Sequence, residues 1–104
     1  MSLTVWHTEK SPLILRRVGK TGEEAAELLK VTNRIVLQGL DGVDPASGKT
    51  NVQALTEEIA DVMAQFDVCI DCLGLDWDAI RRRVRVKVEL MREWEAMYAP
   101  QQEA

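Results

Sequence analysis

The chain has 104 residues, 17 Asp or Glu against 13 Lys or Arg, and a net charge of −4. That length suits one domain without a second core, and a composition 46% hydrophobic and 29% charged excludes a disordered polyelectrolyte. The acidic balance, with an isoelectric point near 5.0, argues against nucleic acid or a membrane surface as the main partner.

No apolar run approaches the roughly 20 residues of a membrane span. The opening Met1-Ser2-Leu3-Thr4-Val5-Trp6-His7 lacks the basic-then-apolar order of a signal peptide. Two cysteines, Cys69 and Cys72, are too few for a disulfide scaffold. The expectation is a cytoplasmic protein with a single domain over 1–104, in which 1–10 is an N-terminal arm and 99–104 a tail.

Helix punctuation then divides the chain. Ser11-Pro12 is an N-cap followed by a first-turn proline, and Gly39 is placed to stop the segment it opens. Ile14, Val18, Thr21, Ala25, Leu28, Thr32 and Ile35 recur at steps of four and three, which predicts a helical stripe whose first half Gly19 and Gly22 are expected to weaken. A polar loop from Leu40 to Lys49 carries the turn pairs Asp41-Gly42, Asp44-Pro45 and Ser47-Gly48. Thr50 or Asn51 caps a second helix with stripe Leu55, Ile59, Val62, Phe66, Cys69 and Leu73, ended by Gly74. Asp76 caps a third, with stripe Ile80, Val84, Lys87, Met91, Trp94 and Tyr98, before Pro100.

Strand alternation is nowhere sustained; Val84–Val88 comes nearest but lies inside the helical period. The predicted fold is all-α: a helical hairpin plus a third helix, with a four-helix-bundle-like core completed by self-association.

The chemically informative residues are acidic. The first helix carries Glu24-x-x-Glu27 and the second Glu58-x-x-Asp61, and residues three apart on a helix are neighbours. Each pair borders an apolar stripe, so an antiparallel hairpin would bring the carboxylates together. Such a group repels itself unless cations offset it, and Mg²⁺ or Mn²⁺ is the hard, oxygen-preferring class of ion that does so. The competing reading is that both pairs are solvated helix faces.

These motifs, with Lys20-Thr21-Gly22-Glu23-Glu24-Ala25-Ala26-Glu27-Leu28, Glu57-Glu58-Ile59-Ala60-Asp61-Val62 and a lysine on the third helix, resemble the signature of the MazG-type all-α nucleotide pyrophosphohydrolases. The resemblance runs from about Val18 to Trp94, and its one-module size is like the short, stand-alone, phage-type members. It implies a homodimeric or homotetrameric enzyme that hydrolyses a nucleoside triphosphate to the monophosphate and pyrophosphate. By position, Glu24, Glu27, Glu58 and Asp61 would hold Mg²⁺, Glu23 or Glu57 would take a proton from water, and Lys87 would offset charge on the phosphates. The alternative is a non-catalytic helical dimer that binds a nucleotide or a protein.

Other signals carry less. Gly48-Lys49-Thr50 lacks the glycine a phosphate loop needs at position 43, which is Val, and no buried strand precedes it. Cys69-x-x-Cys72 has no second cysteine pair, and His7 is the only histidine, so packing cysteines are expected. The basic run Arg81 to Lys87 scatters around a helix axis instead of forming one face; most of it is expected to be solvated or paired with acids such as Asp78 and Glu89. Trp94 is expected in the core, while Trp6 and His7 are assigned no role.

Overall fold

The computed structural model describes residues 5–98. Three helices form: α1 (Pro12–Gln38), α2 (Asn51–Leu73) and α3 (Trp77–Ala96). The all-α expectation holds. The only β-type pairing among the described residues is an isolated bridge between Val43 and Thr50. No described helix is long and apolar enough to cross a membrane. The chain divides into two compact units, Met1–Leu73 and Gly74–Ala104.

Local chemistry sets the helix ends. Ser11 Oγ accepts from the Ile14 amide at 3.3 Å with Pro12 in the first turn, satisfying one of the amides a helix start leaves open. At the other end, Gly39 adopts φ +84° and donates its N–H to Ile35 O at 2.7 Å. Thr50 and Gln53 cap α2 reciprocally: Thr50 Oγ1 accepts from the Gln53 amide at 3.1 Å, and Gln53 Oε1 accepts from the Thr50 amide at 2.9 Å. This is a capping box with glutamine as its second member. Gly74, at φ +64°, follows the end of α2. Asp76 caps α3 by accepting from the Asp78 and Ala79 amides. Gly19 and Gly22 do not interrupt α1, which runs unbroken through both; tertiary packing outweighs their local cost.

In the first unit, α1 and α2 form an antiparallel hairpin, since the end of α1 meets the start of α2 through Asn51. Its Nδ2 donates to Gly39 O at 2.9 Å and reaches Gln38 Oε1 at 3.4 Å. Val31, Val62 and Ile70 are the buried apolar side chains. The predicted stripes hold in part: Ile14, Thr21, Leu28 and Ile35 on α1 and Leu55, Val62, Cys69 and Leu73 on α2 are covered as expected, and the intervening positions shift by one residue. On α1 the covered face is Ile14, Arg17, Thr21, Glu24, Leu28, Val31 and Ile35, while Val18, Ala25 and Thr32 face outward. On α2, Glu58 and Gln65 are more covered than their neighbours Ile59 and Phe66. A heptad-like pattern leaves this choice between steps of three and four open, and the pairing of two helices decides it.

The second unit consists of α3 and its flanks. Arg81 pairs with Asp78 at 3.7 Å and lies over the Trp77 ring at 4.8 Å, as expected for a locally paired basic run. Trp94 is not core: it is about half exposed and packs edge-to-face on Tyr98, with ring centroids 5.2 Å apart. Pro100 and the tail 99–104 lie outside the described residues.

Candidate metal centre

Three of the predicted carboxylates converge. Glu24 from α1 and Glu58 and Asp61 from α2 each offer an oxygen within 4.8 Å of the others. The one-residue shift at Ala25 and Ile59 accompanies this convergence, with Glu24 and Glu58 on the covered sides of the hairpin and Asp61 exposed at its rim. Lys20 reaches Glu24 Oε1 at 3.3 Å and Glu23 at 3.6 Å. The two acids hold the Lys20 ammonium above its usual range, chiefly through its hydrogen bond to Glu24.

Glu27 does not join the other three. Its Oε1 is taken by Lys30 at 3.2 Å, one helical turn on, a local pairing that competes with the convergence. Its charge still reaches Glu58. Lys87 stands on α3 among exposed residues, so the costly buried ammonium that its apolar stripe position suggested does not arise.

Glu58 is the least satisfied of these groups. Its Oε2 is buried without a hydrogen-bond partner. Burial pushes its carboxyl above the ordinary glutamate range, and the negative charges of Asp61, Glu24, Glu27 and Glu57 push it further. An oxygen that is desolvated, unpartnered and surrounded by like charge fits a hard divalent cation. The residues present therefore fit Mg²⁺ or Mn²⁺, and Glu24, Glu58 and Asp61 are the ones that would hold it.

Several contributors escaped the sequence reading. Asn51 is fully buried and ties the loop to the end of α1. The loop is closed on itself: Asp44 N donates to Lys49 O at 2.9 Å, and Gly48 N, at φ +74°, donates to Asp44 O at 2.8 Å. Asp44 also accepts from the Ala46 amide at 3.1 Å and the Ser47 hydroxyl at 2.9 Å. The amide bond is the main reason its carboxyl lies below the usual range, with Ser47 next. Lys49 leaves this loop to meet Glu57 Oε2 at 2.6 Å. Asp44-Pro45 and Ser47-Gly48 read as turn signals in the sequence, but nothing local showed which side chains the turn would order. Cys69 is half-buried, Cys72 is exposed, and both are free thiols.

Fold and site together define an α-helical hairpin with carboxylates from both helices gathered at its interface. No known protein family, curated protein or solved structure matches the chain.

Proposed function

We propose that the chain is a Mg²⁺- or Mn²⁺-dependent hydrolase that converts a nucleoside triphosphate to its monophosphate and pyrophosphate. The observation that carries this reading is the convergence of Glu24, Glu58 and Asp61 around a buried, unpartnered Glu58 oxygen. The order and spacing of the two acidic motifs, which resemble the MazG-type signature, support the same reaction. A bound cation would offset phosphate charge and make water a better nucleophile at neutral pH. Glu24 and Glu58 present their oxygens from opposite helices, and Lys20 steadies the Glu24 carboxylate. Glu23 and Glu57, next to these ligands in sequence, are the candidates to accept a proton from water, Glu57 once Lys49 has left it. Soluble triphosphate as substrate is in keeping with a cytoplasmic protein.

Hydrolysis is expected to stop in EDTA, to return with Mg²⁺ or Mn²⁺, and to release pyrophosphate. An assay over all eight common NTPs and dNTPs, separating pyrophosphate from phosphate, tests this. Undiminished turnover in EDTA, or phosphate as the only product, would contradict the reading.

The same proposal includes self-association. Outside the hairpin interface, α1 presents Leu15, Val18 and Leu29, and α2 presents Ile59, Met63 and Phe66, each at least about two-fifths exposed. The α1 residues share one side with the small Gly22 and Ala25, and the α2 residues follow helical spacing. A second copy laid on these sides would form a four-helix bundle from two hairpins. Light scattering at micromolar protein is expected to give a dimer or larger, and Phe66→Glu to shift it towards monomer. A monomeric wild type would refute this part.

A further inference from the structure

A small cavity of about 230 Å³ lies in the first unit, lined by Lys30, Arg34, Asp44, Lys49, Glu57 and Glu58 among others. Glu58 belongs both to this cavity and to the converging carboxylates, so the two spaces share a wall. The cavity is smaller than the roughly 300–1,000 Å³ of pockets that enclose a drug-sized ligand. Its lining is mainly charged, with Glu27, Asp44, Glu57 and Glu58 facing the three basic side chains, and Val31 and Ala54 as the apolar exceptions, which suits a compact anion carried with a divalent cation and not a base or sugar.

Its three cations come from different places and are each held by one carboxylate. Lys30 pairs with Glu27 at 3.2 Å, Arg34 with Asp44 at 3.9 Å, and Lys49 with Glu57 at 2.6 Å. Arg34 is the most covered of the three and has the longest pairing. Asp44 does not depend on it, because Ala46 and Ser47 already satisfy its oxygens. Glu57 is about half exposed and regains water when Lys49 leaves it. Both cations can therefore be transferred to a stronger anion without stranding a buried carboxylate. Guanidinium matches a phosphate's geometry with a fork of donors, and ammonium serves it as a point charge.

We propose that this cavity holds the terminal phosphates of the substrate, the part released as pyrophosphate, with Arg34 and Lys49 as their ligands and Glu58 as the wall towards the cation. The assignment rests on the triphosphate reading above and adds to it the residues that recognise the leaving group. Lys49 is positioned by the closed loop and by the capping box that follows it, so it meets the phosphates from a fixed base. Arg34 meets them from α1.

Titration calorimetry with inorganic pyrophosphate in Mg²⁺ tests the assignment on wild type, Arg34→Met, Lys49→Met and Arg34→Lys, with thermal melts to verify folding. Both Met variants are expected to bind pyrophosphate about 10-fold or more weakly; Arg34→Lys should fall between Arg34→Met and wild type, and the KM for triphosphate should rise more than kcat falls. A parallel Mn²⁺ titration reads the carboxylates separately, with binding retained in all three variants. If Mn²⁺ binds but pyrophosphate affinity is the same in every variant, or wild type binds no pyrophosphate, the cavity assignment is overturned and the metal reading stands. If wild type binds pyrophosphate, the Met variants weaken it and Mn²⁺ fails to bind, the cavity assignment stands and the metal reading falls.

Discussion

Glu58→Gln is expected to lower kcat/KM at least about 100-fold, since even residues that only support a metal ligand cost 10–100-fold when changed, and at the same time to make the metal-free protein more stable. The two effects share one cause. Glu58 lies where its charge is desolvated and repelled by Asp61, Glu24, Glu27 and Glu57, an arrangement useful for holding a cation and unfavourable without one. Gln keeps the shape, and its amide can donate to the neighbouring carboxylates. The pH dependence has a definite sign. The folded state binds the Glu58 proton more tightly than the unfolded chain does, so this group's stabilisation is complete below the ordinary value of 4.5 and is lost as pH rises through the raised one. Thermal melts of the metal-free proteins should therefore show the Tm advantage of Glu58→Gln widening from acid to neutral pH. Added Mg²⁺ should raise the Tm of wild type and leave the variant nearly unmoved. Equal melts at every pH, together with wild-type turnover, would return Glu58 to an ordinary helix face.

The ends of the elements were legible in the sequence because their chemistry is local. Ser11, Gly39 and Asp76 act on amides or carbonyls within a few residues, and Gly74 supplies the positive φ that follows α2. The inward side was legible in part, through Thr21, Leu28, Ile35, Leu55, Val62, Cys69 and Leu73, but the positions between them were not. Val18 against Arg17, Ala25 against Glu24, Ile59 against Glu58 and Phe66 against Gln65 each differ by one step of the helix. Hydrophobicity alone selects the apolar member, whereas the structure turns the polar one inward. The choice leaves Oδ1 of Asn51, Oε2 of Glu58 and Oε1 of Gln65 as buried oxygens without partners on α2, at intervals of seven residues. A packed hairpin that served only as scaffold would be expected to bury Ile59 and Phe66 there. Placing the acids inward gives up apolar burial within the hairpin, gathers the carboxylates, and leaves the displaced apolar side chains exposed.

The loop was the least legible part. Its residues were visible as turn formers, but the pairing of Arg34 with Asp44 and of Lys49 with Glu57 depends on how the hairpin closes. In the sequence Lys49 belongs only to an imperfect phosphate-loop motif. The structure gives it a helix–loop–helix setting with no strand before it among the described residues, so any contact it makes with phosphate arises from a different architecture.

Gly42→Ala is expected to destabilise the hairpin by about 1–3 kcal/mol, the usual cost of forcing extra atoms into a packed position, which is roughly 4–8 °C in Tm for each kcal/mol in a domain of this size. The reason is close approach and not backbone conformation, since the glycines with positive φ are Gly39, Gly48 and Gly74. A Cβ on Gly42 would lie 2.8 Å from Asn51 Nδ2, 3.0 Å from Gln38 Cβ and 3.2 Å from Gln38 O. Asn51 is fully buried and bonded to Gly39 O, and its own amide donates to Gly42 O at 2.8 Å, so it has no free direction in which to withdraw. Asn51→Ala removes the nearest obstructing atom but also one of the two hydrogen bonds on Gly39 O, which keeps only the Gly42 amide at 3.2 Å, a loss of about 0.5–1.5 kcal/mol in its own right. The double variant should therefore lose less than the two single losses combined, because the tightest of the three contacts goes with the amide and only those to Gln38 remain. Urea titrations of the four proteins measure this coupling. Strict additivity would place the obstruction at Gln38, and an unchanged midpoint in Gly42→Ala would show that the loop yields. Because Gly42 and Asn51 anchor the segment that carries Asp44 and Lys49, the same substitutions should weaken pyrophosphate binding while leaving Mn²⁺ binding at Glu24, Glu58 and Asp61 intact.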